Sequence, residues 1–580
     1  MVYQSVIAVA AGMALLAAAP PPPPPARSSA DDSPVRCRTG DDGEAIVKTN
    51  GFTRRSRSGA VMNALPSLSS VAPSPIAPPP APAPLPPEPS AMGAGVPSIV
   101  RTPVVTPPGQ PPYGAAGNTE RYAEQAVASI KDSATTPVST FSVDVDTGAY
   151  ANVRRFLNKG EPVPAAAVRT EEMINYFRYD YPRPTDRRQP FSVTTDVART
   201  PWNPNTRLLR VGLRADAVAT AARPAANIVF LVDTSGSMNS PDKLPLVKGA
   251  LRGLAKRLRA DDRVAIVAYA GSAGVVLEPT SQTRYIDAAL DCLDAGGSTA
   301  GGEGIELAYS LARAHFRRGE VNRIFLATDG DFNVGIRDNA TLEALVKRNR
   351  DTGITLTTLG FGTGNYNEAM MERIADVGNG NYAYIDSARE ADKVLGDELS
   401  ATLVTVAQDV KVQVEFNPAQ VSQYRLIGYE NRALREEDFT NDAVDAGDIG
   451  AGHQVTALYE IVPAGAQGWT PSRRYPANRT APAAGGSEAC EVRLRYKLPG
   501  ETTSRALSRV VPATALRTAR APTGDMAFVA AVAAYGQGLR GDTYLGRFSM
   551  ADVTRLAGPQ RDPARQEFIT LAGLAGQAKD

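Results

Sequence analysis

Apolar positions change their spacing along the chain, and each change marks a different kind of structure. From residue 228 to 406, short apolar runs alternate with stretches of helical period. Residues 228–232, 264–269, 275–277, 324–327, 354–359 and 382–385 are predicted strands, the first apolar at every position. Leu244, Val247, Leu251, Leu254 and Leu258 share one helix face, and 286–293, 305–316, 342–349, 369–375 and 389–406 are further predicted helices. Strands alternating with helices imply an α/β fold: a doubly wound, mostly parallel sheet covered on both faces.

The flanks follow other patterns. Upstream, 122–130 has helical spacing and 140–145 alternates as a strand. Asp146 and Thr147 then read as the cap of a helix through Tyr150, Val153 and Phe156. With a helix at 171–177 and strands at 191–197 and 207–213, this predicts a compact α+β unit. Downstream, 410–416, 424–429, 455–462, 490–498 and 506–511 are predicted strands with no helix between them, so an antiparallel β domain is expected. Helices near 527–535, 550–556 and 565–575 close the chain.

Residues 20–118 show no period. Pro20 to Pro25 is unbroken proline and 73–89 reads PSPIAPPPAPAPLPPEP, the composition of a disordered, semi-rigid spacer. Ahead of it, residues 7–19 form an apolar run of signal-peptide length ending in three alanines, although no Lys or Arg precedes Arg27. The run is too short for a membrane span. The expected organisation is a signal peptide at 1–19, a spacer at 20–118, an α+β domain at 119–222, the doubly wound domain at 223–400, and the β domain with terminal helices at 401–580.

Composition narrows the chemistry. Sixty-two Lys+Arg against 61 Asp+Glu leave no electrostatic footprint for nucleic acid. The three cysteines, Cys37, Cys292 and Cys490, lie far apart without a C-x-x-C, so zinc is not expected. Cys37 follows Arg36, which is no lipoprotein site, and Cys292 reads as a partly buried helical thiol. His315 and His453 are the two histidines, which leaves little room for histidine catalysis. Neither G-x-S-x-G around Ser237 nor H-E-x-x-H occurs, so no enzyme activity is expected. Asp144 and Asp146 are read as a helix cap, and Asp438, Asp442, Asp445 and Asp448 as a solvated acidic loop.

One constellation suits a hard cation. The strand NIVFLV runs into Asp233-Thr-Ser-Gly-Ser-Met238, the strand RIFLA into Thr328-Asp329-Gly330, and a third loop, 296–302, reads GGSTAGG. In a doubly wound sheet of order 3-2-1-4-5-6 the first and fourth strands are neighbours, and ligands bind beyond their carboxyl ends. Ser235, Ser237 and Thr299 would supply neutral hydroxyls, Asp233 and Asp329 charge, and Gly236 the turn.

These five positions resemble the metal-ion-dependent adhesion site (MIDAS) of von Willebrand factor type A (VWA) domains, D-x-S-x-S with a distant Thr and Asp. The resemblance implies Mg²⁺, or Mn²⁺ or Ca²⁺, held directly by Ser235, Ser237 and Thr299 and mainly through water by Asp233 and Asp329. STFSVDVDTGAYANVRRFL with VRTEEMINYF, and RLIGYENRAL with DAGDIGAGHQVTALYE, look like the flanking domains of exported bacterial VWA proteins. The expected function is metal-dependent adhesion or complex assembly at the cell envelope, with a partner protein presenting an Asp or Glu. A metal-dependent hydrolase, or a scaffold with a structural metal, are the alternatives.

Overall fold

The computed structural model describes residues 34–38, 45–46, 119–186, 188–218, 222–299, 301–330, 339–471 and 486–577. The expected signal peptide and most of the expected spacer lie outside the described residues. The described chain opens with β1 (Cys37–Arg38) and β2 (Ala45–Ile46). A first flanking segment follows: β3 (Lys131–Asp132), β4 (Val138–Ser142), α1 (Gly148–Asn158), α2 (Thr170–Asn175), β5 (Phe191–Arg199) and β6 (Arg207–Ala215). The central domain runs β7 (Ala226–Asp233), α3 (Leu244–Ala255), β8 (Arg263–Tyr269), β9 (Ala273–Thr280), α4 (Thr283–Asp291), α5 (Gly301–Ala314) and β10 (Val321–Thr328). It continues through α6 (Asn339–Arg350), β11 (Thr355–Phe361), α7 (Glu368–Val377), β12 (Tyr382–Ile385), α8 (Ala388–Asp392) and α9 (Leu399–Leu403). The last segment contains β13 (Thr405–Phe416), β14 (Val421–Ile427), β15 (Ala433–Leu434), β16 (Ile449–Gly450), β17 (Gln454–Pro463), β18 (Glu488–Lys497) and β19 (Arg505–Pro512). It ends with α10 (Ala513–Thr518), α11 (Gly524–Arg540), α12 (Met550–Ala557) and α13 (Pro563–Gln577).

The central sheet has the order β12-β11-β10-β7-β8-β9, parallel except for the antiparallel edge strand β9. This is the expected doubly wound order, with β7 and β10 side by side. The apolar run of β7 follows from burial on both faces. Ile228, Phe230 and Val232 pack in one core with Leu251, Ile286 and Leu395, while Val229 and Leu231 pack in the other with Ile305, Tyr309 and Val346. Burying each such side chain contributes about 1.5–3 kcal/mol, so this sheet has a large drive to fold from its apolar residues alone.

Two local expectations are not met. Residues 122–130 form neither helix nor strand. Just ahead of them Thr119 and Arg121 donate their N–H groups to the carbonyls of Gly364 and Tyr366, which draws the chain along the central domain. The predicted helix 389–406 is broken into α8 and α9 by a wider π turn at Lys393–Asp397.

The expected α+β unit at 119–222 does not close on itself. Strand β4 pairs with β13, and β6 pairs with β17, so the first segment contributes strands to both sheets of the last. One sheet has the order β15-β4-β13-β18-β19 and the other β3-β14-β17-β6-β5. Phe141, Val211, Val412, Tyr459 and Val492 share the core of these two sheets, and Ala198, Leu208 and Leu458 pack instead with α11 to α13. Residues 119–222 and 401–580 are therefore proposed as one unit, with 223–400 inserted between them.

Part of the expected spacer is also structured. Val35 bridges Leu277 on the edge strand β9, Arg36 donates its N–H to the Val276 carbonyl, and Glu278 donates to that of Pro34. Cys37 is disulfide-bonded to Cys292, with a Cα–Cα distance of 5.2 Å. Cys292 is thus no free thiol, and residues 34–38 cover a sheet edge that would otherwise offer unpaired backbone groups.

Candidate metal centre

Strands β7 and β10 are parallel and in register up to Val232 and Ala327, so Asp233 and Asp329 emerge from neighbouring carboxyl ends. Both are fully buried. Asp233 is held from three sides: its Oδ1 accepts the Ser235 N–H at 2.8 Å, and its Oδ2 accepts the Thr328 and Tyr269 hydroxyls at 3.0 and 3.2 Å. Burial pushes its carboxyl up to about 6 despite the downward pull of the Ser235 bonds. Ser235 precedes a single 3₁₀ turn, Gly236–Asn239, and its hydroxyl lies 3.1 Å from that of Ser237. Ser235 is buried, whereas Ser237 faces solvent.

The third loop is stitched to the first through its backbone. Gly236 donates its N–H to the Gly297 carbonyl at 3.0 Å, and Gly296 donates to Thr234 at 2.8 Å. This brings the loop carrying buried Thr299 against the loop carrying Ser235 and Ser237. All five sequence-predicted residues therefore gather beyond the carboxyl ends of β7 and β10. The glycine reading needs correction. Gly236 is not in the left-handed region, and a Cβ there would make only an ordinary contact with Gly297. The turns that demand glycine are at Gly297, φ +79°, and Gly330, φ +92°, where a Cβ would meet the Asn367 nitrogen at 2.5 Å.

Sequence reasoning missed the local cation. Lys243 Nζ lies 2.9 Å from Asp329 Oδ2 and 2.9 Å from Asn365 Oδ1, and both charged groups of the pair are buried. Its stem packs over Gly362. The signal available was a lysine directly ahead of the helix that follows the motif. Among the described residues no three His, Cys, Asp or Glu side chains gather as a metal cage. The donors here are instead three hydroxyls and two carboxylates, a set suited to a hard, oxygen-seeking ion.

The set-aside acidic residues have other roles. Asp146 does not cap α1; its Oδ1 accepts the N–H of Tyr382, and the Ala149 N–H is met by Glu172 at 2.8 Å. The 438–448 loop is solvated at Asp445, which is 56% exposed, and is also pinned by ion pairs. Asp438 pairs with Arg435, Asp442 with Arg495, Asp445 with Arg350, and Asp448 accepts the Asp409 N–H.

Comparison with known proteins fits this architecture. Residues 227–397 match the von Willebrand factor type A domain family, 116–210 the family described as von Willebrand factor, and 401–577 the C-terminal family of the uncharacterized protein YfbK. YfbK of Escherichia coli K12 is 48% identical over 475 residues, 80% of this chain and 82% of that protein. Protein sll0103 of Synechocystis is 36% identical over 188 residues, 32% of this chain and 43% of that one. Among solved structures, von Willebrand factor type A from Catenulispora acidiphila is 17% identical, covers 69% of this chain and 91% of its own, and superposes with a TM-score of 0.38. Given the extent of the YfbK match, this chain belongs to the bacterial family of von Willebrand factor type A proteins that includes YfbK.

Proposed function

We propose that this protein is an exported, metal-dependent protein-binding module of the cell envelope. In this reading Asp233, Ser235, Ser237, Thr299 and Asp329 hold a divalent cation, Mg²⁺ or else Mn²⁺ or Ca²⁺, which receives an Asp or Glu of a partner protein. The observation that carries it is the convergence of three hydroxyls and two buried carboxylates at the open end of the sheet, with Ser237 at the solvent boundary. When bound, the ion supplies a concentrated positive charge that favours an incoming carboxylate over a neutral oxygen. The chain's own residues do the rest: Thr328, Tyr269 and the Ser235 N–H fix Asp233, and Lys243 neutralises Asp329. The apolar run at 7–19 supports export, and so does the Cys37–Cys292 bond, since disulfides persist in oxidising compartments. Among the described residues no helix is long and apolar enough to cross a membrane.

The test is affinity capture from envelope extracts in Mg²⁺ and in EDTA. Capture should need the ion and fail with Asp329→Ala. Asn or Gln at one acidic position of the recovered partner should weaken binding by about 2–5 kcal/mol, as for other truncated charge pairs. Capture indifferent to EDTA would remove the site from the docking surface.

Lys243 gives a second check. Lys243→Met leaves Asp329 buried without its ammonium, which should cost about 3–5 kcal/mol of stability in EDTA. Saturating Mn²⁺, at a hundredfold its Kd, should return about 2.7 kcal/mol to that variant by binding the folded state alone. Thermal melts with and without Mn²⁺ measure both, and a variant that Mn²⁺ does not stabilise would count against the site.

A further inference from the structure

A second charged region lies where the central domain meets both flanking segments. Six buried carboxyl side chains meet there: Asp144 and Asp146 from the β4–α1 loop, Glu171 and Glu172 from α2, and Glu368 and Glu372 from α7. They face two guanidinium groups, Arg169 and Arg432. Arg432 reaches Asp144, Asp146 and Glu372 at 3.2–3.4 Å and Asp376, at the exposed rim, at 2.6 Å. Arg169 reaches Glu372 at 3.5 Å. Other charges nearby are already paired, Glu430 with Arg540 and Asp445 with Arg350. Tyr366, Tyr382 and Tyr429 add phenols, not charge, from the central domain and the β14–β15 turn.

The two arginines form ion pairs with one side of the cluster only, and Arg169 acts on Glu171 and Glu368 through its charge without a hydrogen bond to either. Both carboxyl oxygens of Glu368, Glu172 Oε1 and Asp144 Oδ2 lack any hydrogen-bond partner, and the Glu171 carboxyl has none on another residue. The Glu171 carboxyl is also packed against backbone, since a Cβ on Gly428 would meet its Oε2 at 2.6 Å. An ionised carboxylate buried without a partner costs several kcal/mol, and the usual escape is to bind a proton.

We propose that this junction is a proton-operated clasp, in which Glu171 and Glu368 are carried as neutral acids and their ionisation loosens α7 from α2 and the 428–432 turn. The protons exchange with bulk water. Burial is the first cause raising both groups, Glu171 to about 7 and Glu368 to about 8; the neighbouring carboxylates add to it and the Arg169 charge opposes it. A carboxyl raised in the folded state contributes stability that is complete below its ordinary value near 4.5 and is lost as pH rises through 7 and 8.

The test compares the full chain with Glu171→Gln/Glu368→Gln, both in a Ser235→Ala/Ser237→Ala background so that added cations do not act at the candidate metal site. Glutamine is a neutral isostere and keeps the packing. The melting temperature of the reference protein should fall between pH 6 and pH 9, and the glutamine variant should lose at least half of that fall. In D₂O the infrared band of protonated carboxylic acid should be present at pH 6, weaken at pH 9, and be smaller in the variant at pH 6. An equal pH dependence in both proteins, or an acid band unchanged by the substitutions, would overturn the clasp. So would a pH dependence erased by Ca²⁺, which would put a metal ion where the protons are assigned.

Discussion

Alanine at both Ser235 and Ser237 should abolish Mn²⁺ binding in titration calorimetry while the metal-free protein melts within about 2 °C of wild type. The two halves of this result have separate causes. The hydroxyls lie 3.1 Å apart at the rim of β7 and supply two of the three neutral donors assigned to the ion, so their loss removes its nearest ligands. The fold does not rest on them. Both faces of the central sheet are packed with apolar side chains from its six strands and their covering helices, and Asp233 keeps its bonds from the Ser235 N–H, Thr328 and Tyr269 in the variant. Metal binding that survives the double substitution would place the ion elsewhere. A collapse of the circular dichroism spectrum would make the residues structural.

A stability effect as large as that at Lys243 is expected at Arg154. Its side chain is 4% exposed and all five of its N–H donors are used. Nε and one terminal nitrogen bind Asp386 at 2.7 and 2.5 Å, and that nitrogen also binds Glu390 at 2.7 Å. The other nitrogen reaches the Tyr176 hydroxyl and Glu567, both at 3.0 Å. One guanidinium thus joins α1, the central domain and the C-terminal helix α13. Arg154→Met should destabilise the protein by about 3–5 kcal/mol, because Asp386 stays buried after its cation is gone and Glu390, among the described residues, keeps only the Lys393 cation, at 3.6 Å. Arg154→Lys should rescue little, since one ammonium cannot reproduce a planar five-donor fork. Denaturant melts measure the loss. A deficit under about 1 kcal/mol would show that water reaches these carboxylates.

The central domain was legible because its information is local. Each strand of the sheet is a short apolar run beside a helix of clear period, and the right neighbours follow from the doubly wound order. The candidate site was legible for the same reason: Asp233, Ser235 and Ser237 sit within one turn, and Thr299 and Asp329 follow their own elements directly. What escaped depends on partners distant in sequence. Asp146 looked like a helix cap, yet its partner is the backbone of Tyr382, 236 residues away. Strand β4 read as part of a self-contained unit because its mate, β13, lies beyond the whole central domain. Residues 122–130 have a helical pattern, but the chain entering them is held by backbone bonds to residues 364–366, and no local pattern records those. Lys243 was invisible as a site residue because its role comes from the packing of its stem across Gly362, which presents no side chain.

The Cys37–Cys292 bond turns the polypeptide into a covalent ring closed between positions 255 residues apart. The proline-rich residues from 47 to 118 lie wholly inside that ring. A single cut among them would open the ring without releasing either piece, so loss of the N-terminal stretch requires reduction as well as proteolysis. The ring also fixes reach. Whatever is attached ahead of Val35 meets the central domain at the β9 edge, and the 72 residues from 47 to 118 add nothing to the distance between them. Opening this bond together with the backbone bonds to β9 would insert all of that chain between the two, converting a short mooring at the sheet edge into a long line that ends at Thr119.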